Sequence, residues 1–244
     1  MTSSPIPRLR REMAAAANPA KAAGMQAYMK SAMPYYGINM PEVRAISRQV
    51  FDGSLLDCRD WRKTILQLWR GARRREERYV ALYVLSMKQH RGCLAPDVMP
   101  MLDEMVVTGA WWDYVDEISH VVGDILRANP RRMKPLMRRW SRDPDLWKRR
   151  VSIICQLGFK RVTDLDLLYA NIEPNLADRD FFIRKAIGWA LRQYAWTDPE
   201  EVRRYVAAHE SQLSGLSRRE ALKNVLPRPA GKVARRASAR PDGE

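Results

Sequence analysis

The chain has 244 residues, 46% of them hydrophobic, and a net charge of +15. That composition can bury a large core and excludes wholesale disorder, and no stretch reaches the roughly 20 consecutive apolar residues of a membrane span. The surplus of cations points to a polyanionic partner, nucleic acid first and an anionic membrane surface as its rival. The opening Met1-Thr2-Ser3-Ser4-Pro5 lacks an apolar signal core, so the expected location is cytoplasmic, in a bacterium the cytosol or nucleoid. Cys58, Cys93 and Cys155 are an odd count without a close pair, which argues against a disulfide framework or a zinc ribbon. His90, His120 and His209 fall into no metal-binding motif, and no Gly-rich phosphate loop or nucleophile elbow occurs, so no metal or cofactor is expected.

Strand signals are nearly absent, and helical periodicity cut by prolines and short polar turns runs through the chain. After a flexible N-terminus at 1–7, the pattern predicts helices over 8–17 and from Pro19 to about residue 32. A loop over 33–40 follows, and Pro41 stands as first residue of a helix carrying Val43, Ile46, Val50 and Phe51. Further helices are expected over 60–70, 75–90, 96–107, 111–128, 131–142, 144–157, 164–176, 178–194, 199–213 and 217–225. Residues 227–244, rich in Pro, Ala and Arg, read as a basic disordered tail. The helices come in pairs, and Asp60-Trp61, Leu146-Trp147 and Phe182-Ile183 each open a long amphipathic helix after a short turn. Helix pairs repeating every 35 to 47 residues or so predict an all-α solenoid of HEAT type over 8–226, with a concave basic face suited to a duplex.

Three stretches carry more than core. In the helix over 111–128, Trp111, Val115, Ile118, Val122 and Ile125 form one apolar stripe. Trp112 and Asp116, four apart, share a neighbouring face that the stripe does not explain. Asp113 is the competing carboxylate, but it lies in the first turn, where the helix dipole favours an acid without any function. In Leu146-Trp147-Lys148-Arg149-Arg150, Arg150 lies along apolar surface with its head emerging. It suits a phosphate clamp or a structural ion pair with an acidic neighbour, Asp116 included. In the helix over 178–194, Ile183, Ile187, Ala190 and Tyr194 form the core stripe, while Lys185, Trp189, Arg192 and Trp196 form a second one. The second stripe is either a nucleic-acid surface or a packed tryptophan between solvated charges. The charge runs 8–11 and 73–78 read as solvated helix faces.

Those same stretches resemble a known family. Trp111-Trp112-Asp113-Tyr114-Val115-Asp116, Leu146-Trp147-Lys148-Arg149-Arg150 and the block from Phe181 through Trp189 to Arg192 are similar to the AlkD-like HEAT-repeat glycosylases of DNA alkylation repair. Ala27-Tyr28-Met29-Lys30, Pro41-Glu42-Val43-Arg44 and Leu216-Ser217-Arg218-Arg219-Glu220-Ala221 are similar too, in the same order, so the likeness spans about 8–225. The resemblance implies a C-shaped array around duplex DNA and a monofunctional glycosylase that hydrolyses the N-glycosidic bond of cationic N3- or N7-alkylated purines, with neither metal nor lyase activity. It implies Asp116 as the catalytic carboxylate, Trp112 and Trp189 as walls beside the lesion nucleotide, and Arg150, Arg192, Lys185 and Tyr28 as backbone contacts. A monomer is expected, with alkylated double-stranded DNA as partner. The sequence departs from the family at Asn39, where a glutamine is expected, and at Gly158, where a lysine is expected and Lys160 follows two residues on. The basic tail also lies outside the family pattern. The rival readings are a non-catalytic DNA-binding HEAT-repeat protein and a solenoid whose basic surface meets an acidic protein.

Overall fold

A computed structural model describes residues 4–52 and 57–225. The described residues are helical without strands, as the periodicity predicts. They gather into two compact units, the first over the described residues of 4–156 and 164–175 and the second over 157–163 and 176–225. The predicted tail at 227–244 and residues 1–3 of the predicted N-terminal segment lie outside the described residues.

The first unit holds α1 (Ile6–Ala15), α2 (Pro19–Tyr28), α3 (Met40–Phe51), α4 (Cys58–Arg70), α5 (Arg75–Ser86), α6 (Met99–Gly109), α7 (Trp112–Ala128), α8 (Pro130–Trp140), α9 (Leu146–Ile154) and α10 (Leu165–Ile172). The odd-numbered helices form a row, α1 on α3, α3 on α5, α5 on α7 and α7 on α9. Behind the row, α4 packs on α5, α6 and α8 each on α7 and α9, and α10 on α8 and α9. This two-layer stacking of helix pairs is the packing of an α-solenoid. The second unit holds α11 (Phe181–Tyr194), α12 (Pro199–Ala208) and α13 (Gly215–Ala221), with α11 laid mainly against α13.

Local chemistry sets the helix starts. Side-chain oxygens of Asn18, Asn39, Asp57, Asp145, Asp164, Asp180, Asp198 and Ser214 accept first-turn N–H groups and cap their helices. Prolines occupy first-turn positions of α2, α3, α6, α8 and α12, where a missing N–H costs nothing. Asn39, the first departure from the family, is thus the N-cap of α3. Gly158, the second, turns the chain at φ +81, where a side chain would be strained.

Three sequence expectations are corrected. The charge run over 73–78 is not a solvated face, because Arg75, Glu76 and Glu77 are all buried. Glu76 accepts the backbone N–H groups of Tyr36, Gly37 and Ile38, and Glu77 accepts from Arg10 and from the Tyr36 hydroxyl. The first turn of α5 thereby ties down the loop between α2 and α3, and hydrogen bonds to ionised groups of this kind are the strong ones. Cys58 and Cys93, 35 residues apart, are joined in a disulfide. Their approach follows from Trp61, which stacks on His90 and donates its indole N–H to the Val84 carbonyl, so the start of α4 lies beside the turn after α5. Trp111 does not join the core stripe. It is the extended N-cap of α7, half-buried, with its ring tilted against Trp147.

Candidate nucleic-acid interface

The stripe of Val115, Ile118, Val122 and Ile125 is completely buried and fixes the rotation of α7. Trp112, the first residue of the helix, therefore stays exposed, and Asp116 sits one turn further at the edge of the core. The two carboxylates of this first stretch meet different partners. Asp113 accepts from the Arg75 guanidinium at 2.7 Å and from the Tyr79 hydroxyl at 2.6 Å. Arg75 also lies 4.2 Å over the Tyr114 ring, and burial raises the Tyr79 and Tyr114 hydroxyls far above the ordinary phenol value. Asp113 is thus a strut between α7 and α5.

Asp116 faces α9. Arg150 forks onto it, Nε to Oδ1 at 2.7 Å and Nη2 to Oδ2 at 2.8 Å. The Asp116 side chain keeps 17% of its surface open and that of Arg150 only 6%. The ion pair between Arg150 and Asp116 is present, and the Arg150 side chain is buried. Burial pushes the Asp116 carboxyl above the ordinary aspartate value, against the lowering effect of the Arg150 hydrogen bonds and charge. The result is a carboxylate held rigidly in a defined plane, partly desolvated, one helical turn from an exposed indole. Such a group can stabilise a cation brought to it.

Tyr28, at the end of α2, is among the most exposed large side chains in the first unit, and α2 buries no residue at all. In the second unit, Ile183, Ile187 and Ala190 are buried along α11, while Lys185, Trp189 and Arg192 are half-buried and Trp196 is exposed. The second stripe is therefore the less buried side of α11, with Trp196 just past the end of the helix. Tyr194, expected in the core stripe, is only half-buried because the helix ends there. Lys185 and Arg192 share a partner that the stripe did not suggest: both reach Glu220 on α13, at 3.0 and 2.5 Å. Sequence reading touches Glu220 only within the family-like run from Leu216 to Ala221, with no signal of its own.

Among the described residues, no group of three His, Cys, Asp or Glu side chains could hold a metal ion, and no helix is long and apolar enough to cross a membrane. No curated protein matches the chain. A solved structure, that of a predicted DNA alkylation repair enzyme from Enterococcus faecalis, is 31% identical, with a TM-score of 0.72 and a match covering 85% of this chain and 95% of that one. The family model of the DNA alkylation repair enzymes matches residues 9–225. With the all-helical pair stacking, the exposed indole beside an oriented carboxylate and a match over nearly the whole chain, the protein belongs to the DNA alkylation repair enzyme family.

Proposed function

We propose that the protein is a monofunctional DNA glycosylase that hydrolyses the N-glycosidic bond of N3- and N7-alkylated purines in duplex DNA. The observation that carries this reading is Asp116, whose carboxylate is fixed in orientation by the Arg150 fork and lies one turn from the exposed Trp112. An N3- or N7-alkylated purine already bears positive charge, so it can leave without a general acid. As the bond to C1′ lengthens, its electron pair passes to the base, which becomes neutral, and cationic oxocarbenium character grows on the deoxyribose. A preorganised carboxylate stabilises that charge. Water then adds to C1′ and its proton passes to Asp116 or solvent, leaving an abasic sugar in an unbroken strand. Indole faces favour cations, so Trp112, and Trp189 in the family's scheme, favour a charged base and a charged sugar over a neutral nucleotide. Arg150 in this scheme orients Asp116 as well as meeting the backbone, and Lys185, Arg192 and Tyr28 meet backbone phosphates.

One observation favours a second reading. Arg150 engages both carboxylate oxygens of Asp116, which also describes a purely structural ion pair in a non-catalytic DNA-binding protein. Duplex DNA carrying N7-methylguanine separates the two. The glycosylase reading expects release of the methylated base and abasic sites without strand cleavage. It expects Asp116→Asn to slow release by about 10²- to 10³-fold while DNA binding persists. Binding without release by the wild type establishes the non-catalytic reading instead, whereas full activity in Asp116→Asn leaves base release standing and removes Asp116 from its mechanism.

A further inference from the structure

Glu220 is a heavily engaged acid of the second unit. It is buried on α13, yet three cations converge on its carboxylate: Lys185 and Arg192 from α11, and Lys223 from the turn that follows α13. Burial pushes its carboxyl upward, but the hydrogen bonds from Lys223 and Lys185 outweigh this and hold it below the ordinary glutamate value. The glutamate is ionised, and the cluster keeps a surplus of two positive charges.

The surroundings are built to hold that arrangement. A Cβ on Gly188 would run into the Glu220 Cβ and would lie 2.9 Å from the Ser217 carbonyl oxygen, so α13 seats against α11 only where a glycine leaves room. Ser217 donates its hydroxyl to the Arg184 carbonyl at 2.9 Å, and the Asn224 amide donates to the Arg192 carbonyl at 3.3 Å. These contacts fix the register of the two helices and hence the three side chains.

The cations are not consumed by their partner. A lysine ammonium offers three donors and a guanidinium five, whereas one carboxylate has about four lone-pair sites. The cationic side chains also reach solvent, with 35% of Lys185, 26% of Arg192 and 53% of Lys223 exposed, against 6% of Glu220. Fixed cations with spare donors around a sunken carboxylate fit a phosphodiester, which supplies negative oxygens at a spacing that several donors can share.

We infer that Lys185, Arg192 and Lys223 act as one phosphodiester-binding platform in the second unit, with Lys223 as a third backbone contact and Glu220 as the residue that positions all three. This rests on the reading above that the partner is DNA, but not on base release. The platform holds the strand and carries no base specificity, because its chemistry is directed at the backbone.

The test is binding of the full chain to an undamaged duplex, followed by fluorescence anisotropy over a series of salt concentrations, with base release scored separately on methylated DNA. Each phosphate neutralised contributes about 0.9 to the slope of log affinity against log salt. Lys223→Gln is expected to lower the slope by about that amount, and Lys63→Gln, an exposed lysine on α4, to leave it unchanged. Glu220→Gln removes a negative charge, so simple attraction predicts tighter binding; a positioning role predicts weaker binding, by several-fold. An unchanged slope in Lys223→Gln, an equal loss in Lys63→Gln or tighter binding by a folded Glu220→Gln each overturns the platform. If Glu220→Gln does not fold, the Lys223→Gln slope decides. Absence of base release with the expected slopes would sink the glycosylase reading and leave the platform standing.

Discussion

Two carboxylates, Asp116 in the first unit and Glu220 in the second, are both sunk beside arginine, yet they are built for different tasks. Asp116 meets the Arg150 guanidinium in a planar fork, which makes its geometry rigid. Glu220 meets three cations, so the cluster stays positive and its donors outnumber its acceptors. The first arrangement suits a group that must stand in a fixed place against a developing cation. The second suits a surface that must hold a polyanion. The same residue types therefore yield different local charge, and what decides is how many cations the packing brings within reach of each acid.

Variants can break this contrast or sharpen it. The largest stability effect is expected away from both acids, at Asp113. Its removal strands the buried Arg75 guanidinium and the Tyr79 hydroxyl. Asp113→Asn should cost about 3–5 kcal/mol, the range for breaking a buried pair from one side, measured by urea denaturation. Base release per folded molecule should change far less than in Asp116→Asn, and an equal loss would make Asp113 the reacting carboxylate. Next is Gly188→Ala, which drives a methyl group into Glu220 and Ser217. About 1–3 kcal/mol of overpacking cost is expected, together with weaker binding to undamaged DNA, because the cations shift with α13.

A smaller effect probes the fork itself. Arg150→Lys keeps the charge but loses the planar pair of hydrogen bonds that lowers the Asp116 carboxyl. With burial less opposed, that carboxyl rises further, so the ionised fraction at a given acid pH falls. The acid limb of the base-release profile should move to higher pH; a limb that stays in place would mean that Asp116 ionisation does not control the rate. The smallest effect lies outside both clusters. His90 is buried without a hydrogen-bond partner among the described residues, and burial lowers its value from the ordinary 6.5. The unfolded chain takes up a proton there that the folded protein resists. Stability should therefore be undiminished above pH 6.5 and fall as pH drops below it, by at most about 1.4 kcal/mol per pH unit. Thermal melts of the wild type and His90→Phe compare the two, and the variant should lose that part of the slope.

The helical fold was legible because its signals are local. The four-three spacing of Val115, Ile118, Val122 and Ile125 fixes which side of α7 is buried, and each of these residues is. On α11 the spacing likewise separated the buried Ile183, Ile187 and Ala190 from the less buried Lys185, Trp189 and Arg192, but not the pairing of the two cations with Glu220. Helix ends were less so: the segment over 75–90 breaks at Ser86 into a 3-10 turn, and 199–213 ends as a helix at Ala208. Partnerships were legible only as alternatives. The pairing of Arg150 with Asp116 was one of two open readings, since a spacing of 34 residues carries no information about which turns of α7 and α9 face each other. The burial of Glu76 and Glu77 was missed because the loop that needs their oxygens lies about 40 residues away.

The amino-acid sequence by itself determined an all-α chain of paired helices, the buried side of α7 and the exposure of Trp112. These follow from a period of 3.6 residues and from caps that act within one turn. Tertiary structure alone decided that Asp113 is a strut, that Asp116 lies under Arg150, that Cys58 meets Cys93 and that Glu220 gathers three cations. Each depends on the register between helices distant in the chain, which packing volume sets, down to the missing side chain of Gly188.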